Sequence, residues 1–204
     1  MSLSIHCASL RHCFVPIFFM IVLSGVLVNC SSVASTGAGA VYNRHSIQKN
    51  LADQYTTMQV YQALYFKTNE FKNTNIAIAT YNGELLLAGQ VPQNWQKTKA
   101  EEIVKQLDSV GTVYNLITVE NPSSSLTKIS DTWITTKVKA KLLASDDVDA
   151  SKVKVITENG TVYLMGILQN SEADAAVELA STTDGVQKVV KIFSYMTISK
   201  KRLA

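Results

Sequence analysis

The chain has 204 residues, 47% hydrophobic and 17% charged, with a formal net charge of +3. That length suits one or two small globular domains, and so small a charge gives no electrostatic footprint for nucleic acid. Cys7, Cys13 and Cys30 are the only cysteines and His6, His12 and His45 the only histidines, so everything after residue 45 lacks a disulfide, a thiolate metal site and an imidazole catalyst.

In chain order, Arg11 and His12 precede an apolar run over 14–28, too short and too weakly flanked for a transmembrane helix, which closes on Leu27-Val28-Asn29-Cys30-Ser31. This run resembles a bacterial lipoprotein signal. The resemblance implies removal of residues 1–29 and lipidation of Cys30, although Asn29 stands where a small residue is usual. An ordinary secretory signal and an uncleaved anchor are the other readings of the same run. Ser31 replaces the aspartate that holds such lipoproteins in the inner membrane, so the resemblance implies an outer-membrane anchor with the chain facing the periplasm. Residues 30–50, largely Ser, Ala, Gly and Thr without hydrophobic periodicity, read as a flexible tether.

The rest of the chain is written twice. Asp53-Gln54-Tyr55-Thr56-Thr57-Met58-Gln59-Val60 parallels Asp131-Thr132-Trp133-Ile134-Thr135-Thr136-Lys137-Val138, and Tyr81-Asn82-Gly83-Glu84 parallels Glu158-Asn159-Gly160-Thr161. Asp108 to Val113 answers Asp184 to Val189, so the offset falls from 78 through 77 to 76, the drift that loop insertions and deletions leave in a duplicated domain. Each copy predicts a helix (53–67 and 131–144) and two strands (75–81 with 84–90, 152–158 with 161–168). A second helix follows (93–107 and 171–182), then a last strand (113–120 and 186–197). Asn-Gly joins each strand pair, the strongest short-range hairpin signal because both turn residues take positive φ. The fold class is α+β: two tandem αββαβ domains, each a three-stranded mixed sheet with two helices on one face. The boundaries are 51–120 and 128–198, with a Pro-Ser linker at 121–127.

The motifs that carry chemistry elsewhere are missing. Glu101-Glu102 and Asp146-Asp147 are adjacent carboxylates of the solvated kind, the oxygen-ligand spacing of a calcium loop is absent around Asp146, and Gly37 and Gly39 follow no strand. The sequence therefore reads as a binding protein and not an enzyme, with no cofactor, no metal, no nucleic acid and no small-molecule substrate.

The opening helix of the second copy stands out. Ile134, Val138 and Leu142 make its core stripe, as Val60 and Leu64 do in the first copy, while Trp133 points away from that stripe. Lys137, Lys139 and Lys141 replace Gln59, Tyr61 and Ala63. An indole beside lysines suits an anionic bilayer surface. The alternatives are that Trp133 packs on the first domain or the linker, and that the lysines only solubilise the helix.

The αββαβ repeat with its Asn-Gly hairpins, the strand-end glycines Gly89 and Gly166 and the Val-x-x-Val after Asp184-Gly185 resemble BON domains, and two of these behind a lipoprotein signal resemble the family's outer-membrane lipoproteins. That resemblance covers roughly residues 44–197. It implies an envelope protein that binds anionic phospholipid, of the phosphatidylglycerol or cardiolipin type, through the second domain and supports outer-membrane integrity at division sites. The lipid-binding residues would be Trp133, Thr136, Lys137, Lys139, Ala140, Lys141 and Leu143. The competing expectation is a periplasmic stress or chaperone-like module that engages envelope proteins such as the outer-membrane assembly machinery, as in anchorless members of the family.

Overall fold

The computed structural model describes residues 37–196. The signal segment 1–29, Cys30, the tether up to residue 36 and the last two residues assigned to the second domain lie outside the described residues. Both repeats belong to one compact unit that begins at His45.

The first repeat comprises α1 (Gly37–Tyr61), a π-helical turn (Gln62–Phe66), β1 (Asn75–Tyr81), β2 (Glu84–Val91), α2 (Asn94–Lys105) and β3 (Val113–Val119). The second comprises α3 (Ser125–Ala144), β4 (Val153–Glu158), β5 (Thr161–Leu168), α4 (Asn170–Ser181) and β6 (Lys188–Tyr195). Each sheet has its hairpin's second strand in the centre, antiparallel to the strand before it and parallel to the last. This is the predicted α+β architecture, and the hairpin strands lie within a residue of where the sequence puts them.

The last strand, expected over 186–197, is shorter, Lys188–Tyr195, and two other boundaries differ by more. The tether assigned to 30–50 is helical from Gly37 onward. No proline interrupts the chain from there to Tyr61, and adding residues to a helix already nucleated on the packed domain is far easier than starting one. The linker assigned to 121–127 is shorter as well. The Oγ of Ser124 accepts from the Thr127 backbone N–H at 3.2 Å, capping a helix that begins at Ser125. Asp131, read as the helix start, lies in its second turn and is buried.

Its burial has a definite purpose. The two Asp131 carboxylate oxygens accept from the backbone N–H groups of Asn159 (2.8 Å) and Gly160 (2.9 Å). Asp53 does the same in the first repeat, for Asn82 (2.7 Å) and Gly83 (3.0 Å). Both residues of each turn have positive φ, 50° and 81° in the first and 48° and 71° in the second, the geometry a two-residue hairpin of this kind needs. On the far side, the Gly83 carbonyl accepts from Gly111 N–H and the Gly160 carbonyl from Gln187 N–H. One turn therefore holds the first helix, the hairpin and the approach to the last strand.

The central strands are buried along nearly their whole length. In β2, Leu85 and Leu87 pack under the helices of their own domain while Leu86 and Ala88 join a second cluster. In β5, Val162 and Leu164 face the helices, and Tyr163 and Met165 join that same second cluster. The alternation is the period of two of a β-strand. The two domains thus pack sheet to sheet, through the faces their helices leave free.

Two half-buried charges of the second domain edge this apolar interface, each tied to a neutral group of the first. Lys154 Nζ donates to the Thr80 carbonyl at 2.8 Å, and Glu158 Oε2 accepts from Asn75 Nδ2 at 2.8 Å. Burial pushes the Glu158 carboxyl up to about 7, opposed by the Asn75 hydrogen bond, reinforced by the Asp131 charge and opposed again by Lys128.

Loss of the carboxylate clasp is expected to be costly, because two turn amides lose a charged acceptor at once. Asp131→Ala should lower unfolding free energy by about 3 kcal/mol, and Asp53→Ala by less because its turn is more exposed; urea denaturation reads both, and a loss for Asp131→Ala under about 0.5 kcal/mol would show the clasp to be incidental. For Glu158 the sign follows from its raised pKa: between about pH 4.5 and 7 the folded state binds more protons than the unfolded, so stability falls as pH rises through that window. With solvent screening of a partly exposed group, the drop should be about 2 kcal/mol, and Glu158→Gln should remove it. A variant with the same pH profile as wild type would clear Glu158 of that role.

Candidate functional site

The sheets are covered on both faces, so a large binding surface must lie on the outer faces of the helices. α3 carries such a surface. Ile134, Val138 and Leu142 are buried as expected, and the opposite side of the helix exposes Leu126 (78%), Ile129 (67%), Trp133 (64%) and Leu143 (75%). With exposed Thr136 and Ala140 between them, these residues follow spacings of 3 and 4, so they form one stripe about 25 Å long. None of the side chains in the stripe has a partner in the first domain's core clusters.

The structure brings together Trp133, Thr136, Ala140 and Leu143 from the predicted set and adds Leu126 and Ile129. Placing the linker at 121–127 hid these two. The spacing Leu126, Ile129, Trp133 after a capping serine was the signal that could have found them.

Lysines flank the stripe on both sides. At 100° per residue, Lys137 and Lys141 fall on the side toward α4, and Lys128 and Lys139 on the other. Lys137 Nζ donates to the Asp184 carbonyl and Lys141 Nζ to the Thr182 carbonyl at 2.7 Å. Both ammoniums therefore sit at the C-terminal end of α4, where the helix dipole favours a cation. Lys128 and Lys139 are exposed. The one acidic residue of α3, Asp131, is turned inward and spent on the hairpin, so the exposed surface of this helix is apolar and cationic.

Part of the stripe occurs in the first repeat too. Leu51, Tyr55 and Met58 on α1 are 64%, 56% and 54% exposed and match Ile129, Trp133 and Thr136. The corresponding lysines are absent and the stripe is shorter, so the two copies differ in charge as well as in the extent of the apolar surface. The helix pairs of the two repeats otherwise serve their own cores. Tyr65 packs in the first domain's core and Phe66 is exposed; the contact between domains is made by the sheets.

Among the described residues, no helix is long and apolar enough to cross a membrane. The carboxylate pairs have ordinary roles. Glu101 pairs with Lys105 and accepts from Asn115 Nδ2 at 2.9 Å, which holds its carboxyl below the usual range, and Asp146 and Asp147 are exposed.

Two αββαβ units with a clasped Asn-Gly hairpin in each define a tandem α+β protein. The chain belongs to the BON-domain family, whose model matches residues 52–121 and 130–196. It is 46% identical over 118 residues to the outer membrane lipoprotein DolP of Haemophilus influenzae, covering 57% of this chain and 61% of that protein. It is 41% identical over 126 residues to a 21 kDa hemolysin of Actinobacillus pleuropneumoniae, covering 61% and 64%. To the osmotically-inducible protein Y of Escherichia coli it is 30% identical over 158 residues, covering 76% and 78%. The chain thus aligns with a little under two thirds of the length of the first two relatives.

Proposed function

We propose that this chain is an outer-membrane lipoprotein, anchored through Cys30 and facing the periplasm, that settles on anionic phospholipid through α3. The observation that carries the reading is the unpartnered stripe of Leu126, Ile129, Trp133, Thr136, Ala140 and Leu143 between two rows of lysine on a helix with no outward carboxylate. A helix of this kind lies in the plane of the interface with its apolar side among acyl chains and its cations at the phosphates. Lysines near such a surface contribute about 1 kcal/mol each, and an indole settles at the headgroup level. Lys137, Lys139 and Lys141 supply the charge in the sequence-based assignment, and Lys128 joins them. The resemblance to an outer membrane lipoprotein supports the location, and the family resemblance supports a role in outer-membrane integrity at division sites.

A second reading has an observation of its own. The stripe on α1 offers Leu51, Tyr55 and Met58 with no row of lysines, a surface better suited to a protein partner than to an anionic membrane. That reading keeps the protein-interaction role, with the outer-membrane assembly machinery among its partners.

Two experiments test the main reading. Trp133→Glu and Ile129→Glu should each leave unfolding free energy within about 0.5 kcal/mol of wild type and weaken association with phosphatidylglycerol vesicles about tenfold or more. Wild-type association should also fall as salt rises; binding unchanged in both variants would end the membrane reading of α3. Metabolic labelling with a fatty acid should mark the wild-type chain and spare Cys30→Ala, and label retained by that variant would remove the anchor.

A further inference from the structure

Lys154 is not explained by the stripe on α3. It lies on β4, on the face turned to the other domain, where the neighbouring position is the apolar Ile156. The Thr80 carbonyl is its one hydrogen-bond acceptor, and it forms no ion pair among the described residues. The nearest opposite charge acting on it is Asp53, whose two carboxylate oxygens are already taken by the Asn82 and Gly83 amides. Burial, and after it the like charge of Lys139, press the ammonium toward its neutral form. Two lysines here face one carboxylate, Asp53, which is hydrogen-bonded to the hairpin amides and forms no ion pair with either among the described residues, so an incoming anion would complete the arrangement.

The space for one is present. Lys154 and Lys139 open onto a cleft of about 320 Å³ between the two domains, walled on the first domain by Asn50, Gln54 and Thr80 and on the second by Ser151. The volume is at the lower end of the range for small-molecule sites and exceeds what a bare inorganic ion fills. Its lining is mixed: carboxamides and hydroxyls stand around the two ammoniums, the Asp53 carboxylate lies in the same wall, and Val153 and Val155 add apolar surface. A phosphate ester suits such a lining, since its non-bridging oxygens can accept from separate donors and the two lysines, offset in part by Asp53, leave a net positive charge for a singly charged ester. The other end of the same interface contrasts with this one: Glu158 is met by Asn75, which also bonds Gln90 and Ser123.

We propose that the cleft between the two domains binds a phosphate monoester or diester, with Lys154 and Lys139 as its cationic contacts and Asn50 and Gln54 at its rim. The ester is either a soluble phosphate or the headgroup of a membrane lipid. Lys139 also flanks the stripe on α3, so the test separates the two sites.

The full chain in detergent micelles is titrated calorimetrically with glycerol 3-phosphate and, separately, assayed for association with phosphatidylglycerol vesicles. Lys154→Met, Lys139→Gln and Trp133→Glu are compared with wild type, each with its unfolding midpoint measured. If glycerol 3-phosphate binds wild type and Trp133→Glu alike and about tenfold more weakly to Lys154→Met and Lys139→Gln, the cleft is a site for a soluble ester. If only vesicles bind, and Lys154→Met weakens them about tenfold at an unchanged midpoint, the occupant is a lipid headgroup. Absence of binding by both probes, or a Lys154→Met protein equal to wild type in both assays, overturns the proposal. Should Lys154→Met not fold, Lys139→Gln, an exposed change, decides the glycerol phosphate assay alone. Loss of vesicle binding in Trp133→Glu with glycerol phosphate binding retained would show the cleft and the α3 stripe to be independent.

Discussion

Each domain depends on one carboxylate. A hairpin turn of this type directs two backbone N–H groups to one side, and in a compact domain these would be left without partners if water were excluded. Asp53 and Asp131 reach from the first helix and take both, while the turn glycine's carbonyl receives an amide from the approach to the last strand. The clasp fixes the height of the helix on the sheet. It also fixes the rotation of the helix, because the aspartate has to face inward. In α3 the core stripe and the exposed stripe are then set at once: with Asp131, Ile134, Val138 and Leu142 inward, Trp133 and Ile129 have no choice but to face out.

The duplication removes a second degree of freedom. A lone three-stranded sheet with helices on one side would leave its other face wet, and β2 and β5 carry Leu86, Ala88, Tyr163 and Met165 there. Packing one repeat's bare face against the other's buries these residues without another element. The arrangement puts helices outside and sheets inside, and it makes the interface a place where charge is scarce. Lys154 and Glu158 are therefore conspicuous: each spends its charge against a neutral partner across the interface, where an alanine or a leucine would cost nothing in desolvation.

Much of this was legible in the residues. The Asn-Gly dipeptides located both hairpins, and the internal repeat supplied the domain count, because turn chemistry and repetition are local properties of a sequence. The core stripe of α3 was readable for the same reason. The helix start was not, since Pro122 and three serines look like a linker whether the last serine caps a helix or not, and so Leu126 and Ile129 were missed. The segment from Gly37 to Asn50 was misread as a tether because its composition is weakly helical, and what extends α1 there is the packed helix beyond it. The second face of the sheets could not be seen either. A run such as Leu85-Leu86-Leu87-Ala88 states that both faces are buried, but not what buries the second.

The lysines show why the two opening helices, alike in apolar pattern, need not do the same work. Lys137 and Lys141 are held by carbonyls at the end of α4, so their side chains are already ordered beside the stripe. An ammonium has three protons, and a carbonyl or two leaves at least one for another acceptor. A phosphate that meets such a lysine does not have to immobilise it, which spares part of the side-chain entropy that binding otherwise costs. Gln59 on α1 and Ala63 in the π-helical turn after it, at the corresponding positions, carry no charge to present. The second copy thus differs from the first in how a shared apolar stripe is framed, by cations fixed through the domain's own second helix, and that framing can favour one chemical kind of surface over another.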